Sequence, residues 1–171
     1  MLLDLINIRK VRRAIVYFGL ILAALFFQNT ILAKVPILGV TAMVIPCFVV
    51  AAAFFEGGVW GCVFGLVLGI FYDLSLAGTS LLFTILLPII GFASGSLVMF
   101  FLNRRPLSFF LVSAAALIIT AFCQMFALLV FSQTKVLPLL ITGALQVLWT
   151  LPLSFTAYYS CRKISGLDLS K

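Results

Sequence analysis

The chain has 171 residues, 65% of them hydrophobic and only 9% charged, whereas soluble globular domains run at about 45–50% apolar and about 25% charged. With a mean hydropathy of +1.34, this excludes soluble, disordered and collagen-like classes and leaves a single integral membrane domain over residues 1–171. The formal charge of +7 comes from eleven Lys and Arg against four Asp and Glu, with no His; the basic residues sit at the ends of apolar runs, where they set orientation in a membrane, so nucleic acid is not an expected partner.

The first eight residues, MLLDLINI, read either as a short amphipathic stretch along a membrane face or as a tail. Arg9, Lys10, Arg12 and Arg13 follow, ahead of an apolar run over 14–33. That run exceeds the ~7–15-residue core of a signal peptide and lacks a small-x-small cleavage site, so it reads as an uncleaved first span. Further spans are predicted over 38–55, 57–72, 81–102, 107–131 and 136–160. Lipid offers no partner to a bare N–H or C=O, so each span is expected to be a helix. The third is the shortest: sixteen residues give about 24 Å against a hydrocarbon core of about 30 Å. It either crosses by thinning the bilayer or folds back as a re-entrant hairpin. A full crossing puts Arg9, Lys10, Arg12, Arg13, Arg104, Arg105, Arg162, Lys163 and Lys171 on one side and only Lys34 and Lys135 on the other. That asymmetry places both termini in the cytoplasm. The expected fold class is therefore an all-α six-helix bundle, N-in and C-in.

The most specific pattern lies in GGVWGCVFGLVLGIFYDLSLAG, where Gly57, Gly61, Gly65 and Gly69 recur every four residues and Asp73 continues the series. Four residues advance a helix by about 400°, so the glycines form one gently winding stripe without side chains, which lets another backbone approach closely. Gly91 and Gly95 repeat the spacing on the fourth span. The stripe either packs the chain's own third and fourth helices together or docks a partner's helix. Asp73, at an apolar boundary, is a candidate functional residue by default. It either pairs with Lys34 or Lys135, caps the Ser75–Ser80 loop that carries Gly78, or stands in headgroup water.

Uncharged polar residues gather toward the outer half: Gln28, Asn29, Thr41, Thr84, Gln124 and Gln146. Amides in lipid seek partners, so this belt either ties helices together or lines an outward-facing pocket. Pro46, Pro88 and Pro152 fall inside spans and are expected to kink them. Cys47, Cys62, Cys123 and Cys161 show neither disulfide nor zinc-ligand spacing. No phosphate-binding loop, nucleophile–base set or metal-ligand cluster is present in the sequence, so the chain is not expected to be an enzyme or to carry a metal or other cofactor.

The segment GCVFGLVLGIFYDLSLAGTSLL, with Gly65, Gly69, Asp73, Leu74 and Gly78 at the matching positions, resembles the signature of the MreD family of rod shape-determining membrane proteins. Gln28 in FFQNTIL resembles a glutamine late in that family's first span. Pro46 resembles a proline opening its second span, although Cys47 stands where many members have Asp or Asn. The closing LPLSFTAYYSCRK resembles its last span and basic tail. The resemblance implies a non-catalytic subunit of the rod or elongation complex in the bacterial inner membrane. The implied partners are a single-span MreC-like protein and, beyond it, MreB, RodA and a class B transpeptidase, with membrane lipid around the helices. It also implies a fold like that of the substrate-binding subunits of energy-coupling-factor vitamin transporters. Such a subunit is the alternative function, although no two of Ala14, Ala23, Ala24 and Ala33 have the Ala-x-x-x-Ala spacing that those subunits often carry on their first span.

Overall fold

The computed structural model describes residues 8–30, 41–75, 81–100, 106–132 and 136–166. They form six helices: α1 Ile8–Thr30, α2 Ile45–Glu56, α3 Gly58–Ser75, α4 Leu82–Phe100, α5 Pro106–Ser132 and α6 Val136–Gly166. Among the described residues there is no strand. Three stretches among the described residues are long and apolar enough to cross a membrane: Leu82–Phe100, Pro106–Phe126 and Leu139–Ser165. Large apolar side chains such as Phe26, Met99 and Phe122 point away from the bundle, as lipid contact requires. The described part of the chain is thus helical and compatible with a membrane helical protein.

The helices surround α2. It touches each of the other five, while α3 and α4 form the most extensive pair and α5 and α6 the next. α1 lies more sparsely against α2, α3 and α6. Nine of the twelve α2 residues are buried, the burial expected of a helix apolar on every side. Around it many of the buried positions of α5 and α6 are small, with Ser113, Ala116 and Thr120 on one and Thr150, Ser154 and Ala157 on the other. The hydroxyls of Ser113, Thr120 and Ser154 donate to carbonyls three or four residues back in their own helices, so they bury no unsatisfied polar atom. At the C-terminal end of α2, the rings of Phe54, Phe109 and Tyr158 meet pairwise at 5.1–6.4 Å. We call this end, which carries Arg162 and Lys163, proximal, and the opposite end distal.

The second helix departs from the expected span over 38–55. Residues 41–44 are non-helical and α2 begins only at Ile45, which leaves the helix about 18 Å long, too short to cross a bilayer without the non-helical chain that precedes it. Pro46 is therefore not a mid-span kink. It sits in the first turn, where its fixed φ and missing N–H cost nothing. Pro88 and Pro152 do lie inside α4 and α6. The third helix is longer than expected, reaching Ser75 and giving about 27 Å for its eighteen residues. The first and sixth extend beyond their expected spans into basic sequence: Arg9 to Arg13 lie within α1, and Arg162 and Lys163 within α6.

Gly57 separates α2 from α3. Its φ of +98° is a conformation that side chains with a Cβ rarely adopt. Its N–H closes α2 on the Ala53 carbonyl at 2.9 Å, and its own carbonyl receives the Gly61 N–H at 2.9 Å. The first member of the glycine series is thus a helix break, and the packing stripe begins beyond it.

Candidate functional site: the glycine seam and the distal polar ties

Gly61, Gly65 and Gly69 face α4 along its length, each pairing with a residue four positions further back on that antiparallel helix. A methyl group on Gly65 would lie 2.6 Å from the Leu87 carbonyl oxygen, and one on Gly69 would lie 2.5 Å from that of Phe83. One on Gly61 would stand 2.8 Å from the Gly91 carbonyl oxygen and would also collide with Ala53 of α2. On the facing helix, a methyl on Gly91 would run into the Gly61 carbonyl, and one on Gly95 into the backbone of Gly58. The obstacles are mostly backbone, which cannot swing aside. Gly61, Gly65, Gly69, Gly91 and Gly95 are all buried, so their shared face is occupied by the chain's own helices and offers no stripe to a partner's helix. Gly78 lies outside the described residues.

Asp73 ends this seam. Its Oδ2 accepts the backbone N–H of Thr84 at 2.8 Å and the Thr84 hydroxyl at 2.7 Å. Thr84 lies in the first turn of α4, whose leading N–H groups have no intrahelical acceptor. Asp73 therefore caps α4 from the neighbouring helix, and the negative charge meets the positive end of the α4 dipole. Asp73 is 9% exposed, so it does not stand in headgroup water. Its other oxygen, Oδ1, is buried and has no hydrogen-bond partner among the described residues. Lys34, Lys135 and the 76–80 connection, named as possible partners, lie outside the described residues.

Gln28 performs the corresponding task for α2. Val44, at the start of that helix, has no side-chain cap of its own. The Gln28 Oε1, arriving from α1, accepts the Val44 N–H at 2.8 Å and the Ile45 N–H at 3.2 Å. The Tyr72 hydroxyl lies near the Gln28 side chain. From α6, the Thr150 hydroxyl accepts the Met43 N–H at 3.1 Å and donates to the Gln146 carbonyl at 2.6 Å. Gln124 of α5 donates to the Met43 sulfur at 3.2 Å. Non-helical backbone at membrane depth persists only where protein or water satisfies it; here α1 and α6 supply the acceptors.

Two helix N-termini are thus served from neighbouring helices: that of α2 by Gln28 of α1, and that of α4 by Asp73 of α3. Of the expected polar set, Gln28 and Gln124 both reach the 43–45 segment, while Thr84 meets Asp73. Thr41 is exposed, Gln146 is half-buried and contributes its backbone carbonyl, and the side chain of Asn29 is outside the described set. Thr150 and Tyr72 are additions that sequence reasoning missed. Thr150 lies in an apolar stretch of the sixth span with no distinguishing neighbour, and Tyr72 reads there as one more aromatic.

The chemistry available is narrow. Among the described residues no three His, Cys, Asp or Glu side chains are grouped to hold a metal ion, and the four cysteines are free thiols. The polar side chains that meet at the distal end act mostly as ties on backbone groups. No family model, no curated protein and no solved structure matches this chain.

Proposed function

We propose that the protein is a non-catalytic subunit of the bacterial rod or elongation complex, of the MreD type. In this reading it packs against the membrane anchor of a single-span MreC-like protein and helps to link a cytoplasmic MreB filament with RodA and a class B transpeptidase. It crosses the inner membrane six times with both termini in the cytoplasm, so the proximal end is cytoplasmic and the Asp73 end faces outward. Its role is to help control cell shape and lateral peptidoglycan synthesis.

The observation that carries the reading is the segment Gly61–Leu82 itself. Three of the residues that resemble the family signature, Gly65, Gly69 and Asp73, help build one structural unit, the α3–α4 hairpin closed by Asp73 on Thr84. A scaffold needs a rigid unit of this kind, and lipid provides no hydrophobic drive to hold helices together, so close backbone packing must do it. Because the glycine face is internal, the partner's helix is assigned to the outward faces. α3, for example, presents Val59, Val63, Leu66 and Ile70 there. The transporter-subunit alternative asks for amides that line an outer pocket, whereas Gln28 and Thr150 are engaged on backbone N–H groups.

The test is co-expression with a single-span MreC-like protein and purification in mild detergent. Stable co-purification, together with loss of rod shape when the chain is depleted from cells, is the expected result. A chain that purifies alone and whose loss leaves rods unchanged would overturn the proposal. Cysteine labelling at Arg104 and Arg105 tests the topology independently, with labelling from the cytoplasmic side expected.

A further inference from the structure

We propose that the proximal ends of α1 and α6 together form a binding site for the phosphate headgroup of an anionic membrane lipid, with phosphatidylglycerol as the probe.

The two helices are antiparallel and held in step. At the distal end, Gln28 of α1 and Thr150 of α6 reach the same short segment, at Val44 and Met43. Eleven residues nearer the proximal end on each helix, the Tyr17 hydroxyl donates to the Cys161 carbonyl at 3.5 Å. Both residues are buried, and the Tyr17 ring also packs on Phe64 of α3 at 5.7 Å between centroids, so the core fixes the place where α1 and α6 meet. Arg13 stands one turn before Tyr17, and Arg162 and Lys163 directly follow Cys161. Basic positions from opposite ends of the sequence are thereby brought to one level of the bundle.

The charge there is in surplus wherever the acids lie. Arg9, Lys10, Arg12 and Arg13 of α1 with Arg162 and Lys163 of α6 make six positive charges. Apart from Asp73, at the distal end, the chain has three acids, Asp4, Glu56 and Asp168. Even with all of them drawn to this end, positive charge remains in excess. Arg162 and Lys163 are exposed, and a phosphate accepts charge-assisted hydrogen bonds from both side-chain types.

What stands beside the charge selects the ligand. On α6, Tyr159 and Phe155 precede Lys163 by one and two turns, and both are exposed. On α1, the exposed Ile15 and Val16 follow the arginines. A ligand on this surface meets cations at the proximal end and apolar side chains toward the distal end, with a tyrosine at the boundary, where membrane proteins favour one. A phospholipid carries the same order of groups, with a phosphate for the basic residues and acyl chains for the helix faces, and basic pockets between membrane helices hold anionic headgroups in this way. Inorganic phosphate or an acidic protein segment would use the charge alone.

The site does not depend on the rod-complex reading. Full-length protein in mild detergent would be offered phosphatidylglycerol or phosphatidylcholine, with bound lipid counted by native mass spectrometry and melting followed in parallel. The expected result is saturable retention on the order of one phosphatidylglycerol per chain, with a rise in melting temperature on the order of 3–5 °C. Arg12→Gln with Arg13→Gln, and separately Arg162→Gln with Lys163→Gln, should each weaken retention on the order of tenfold. Arg104→Gln with Arg105→Gln, between α4 and α5, should not. The comparison of lipids on wild-type protein keeps the test open should a variant insert poorly. Equal retention of the two lipids, an equal loss from the change at Arg104 and Arg105, or the same stabilisation by inorganic phosphate would overturn the assignment. So would an acidic protein that the α1 and α6 variants release while lipid retention stays unchanged.

Discussion

The side-chain oxygen of Gln28 lies 2.8 Å from the amide nitrogen of Val44, sixteen residues further along the chain. That bond lets a helix begin in the middle of the bundle. The amides of Val44 and Ile45 are among those that a helix start leaves without acceptors, and Gln28 takes both.

Replacing Gln28 by Leu keeps the volume and removes the acceptor. Each buried N–H left unsatisfied costs about 1–3 kcal/mol. The expected outcome is a marked loss of stability, with faster amide exchange at Val44 and Ile45. Thr150→Val, by contrast, should release Met43 alone, since Thr150 serves only that amide in the segment. Hydrogen–deuterium exchange with fragment-level resolution separates the two. Equal exchange at all three amides in both variants would show that the ties do not act locally.

A second prediction sets two glycines against each other. A methyl group on Gly65 would lie 2.6 Å from the Leu87 carbonyl oxygen and 2.9 Å from the Pro88 nitrogen, both backbone atoms. Gly65→Ala should therefore push α3 from α4 and cost about 1–3 kcal/mol. A methyl on Gly19 meets nothing within 4 Å, so Gly19→Ala should be neutral or stabilising by up to about 1 kcal/mol through helix propensity. Reversible unfolding in mixed micelles measures both. Equal effects would mean that the seam does not hold the hairpin.

How much of this was legible in the sequence depends on the range of the signal. The four-residue recurrence of Gly61, Gly65 and Gly69 is local, and in the structure these glycines face the helix that carries Gly91 and Gly95. The entry into α2 was hidden because the stretch 38–55 is apolar throughout and hydropathy does not distinguish helix from buried extended chain. Pro46 was the available clue, since proline is favoured in a helix's first turn. The ties from Gln28 to Val44 and from Thr150 to Met43 join separate helices, 16 and 107 residues apart, and no spacing rule encodes them. Asp73 was singled out as costly in lipid, but its acceptance from Thr84 depends on the hairpin register.

A third prediction concerns that pair. Asp73→Ala removes the acceptor for both Thr84 donors, while Thr84→Val removes the hydroxyl and keeps the amide. Hydrogen bonds to a charged group contribute about 1.5–3 kcal/mol. The double variant should then be less destabilised than the two single changes added, by about 1–2 kcal/mol. Strict additivity in a double-mutant cycle would show that the hydroxyl bond contributes nothing to the hairpin.

The last prediction separates packing from docking. If the glycine seam serves the chain's own fold, Gly91→Ala, whose methyl would enter the Gly61 carbonyl, should lower the yield and melting temperature of the protein. The affinity of each folded molecule for a single-span MreC-like partner should stay unchanged. Bulky polar substitutions on the outward face of α3, at Val63 or Ile70, where side chains are 47% and 40% exposed, should do the reverse. They remove no internal contact of the seam but place a polar group where a partner's helix would lie. Binding is measured on the folded fraction recovered by size exclusion, with the partner's anchor reconstituted at varying concentration. A Gly91→Ala protein that melts normally yet fails to bind would move the docking face onto the seam and require α3 and α4 to part when the partner arrives.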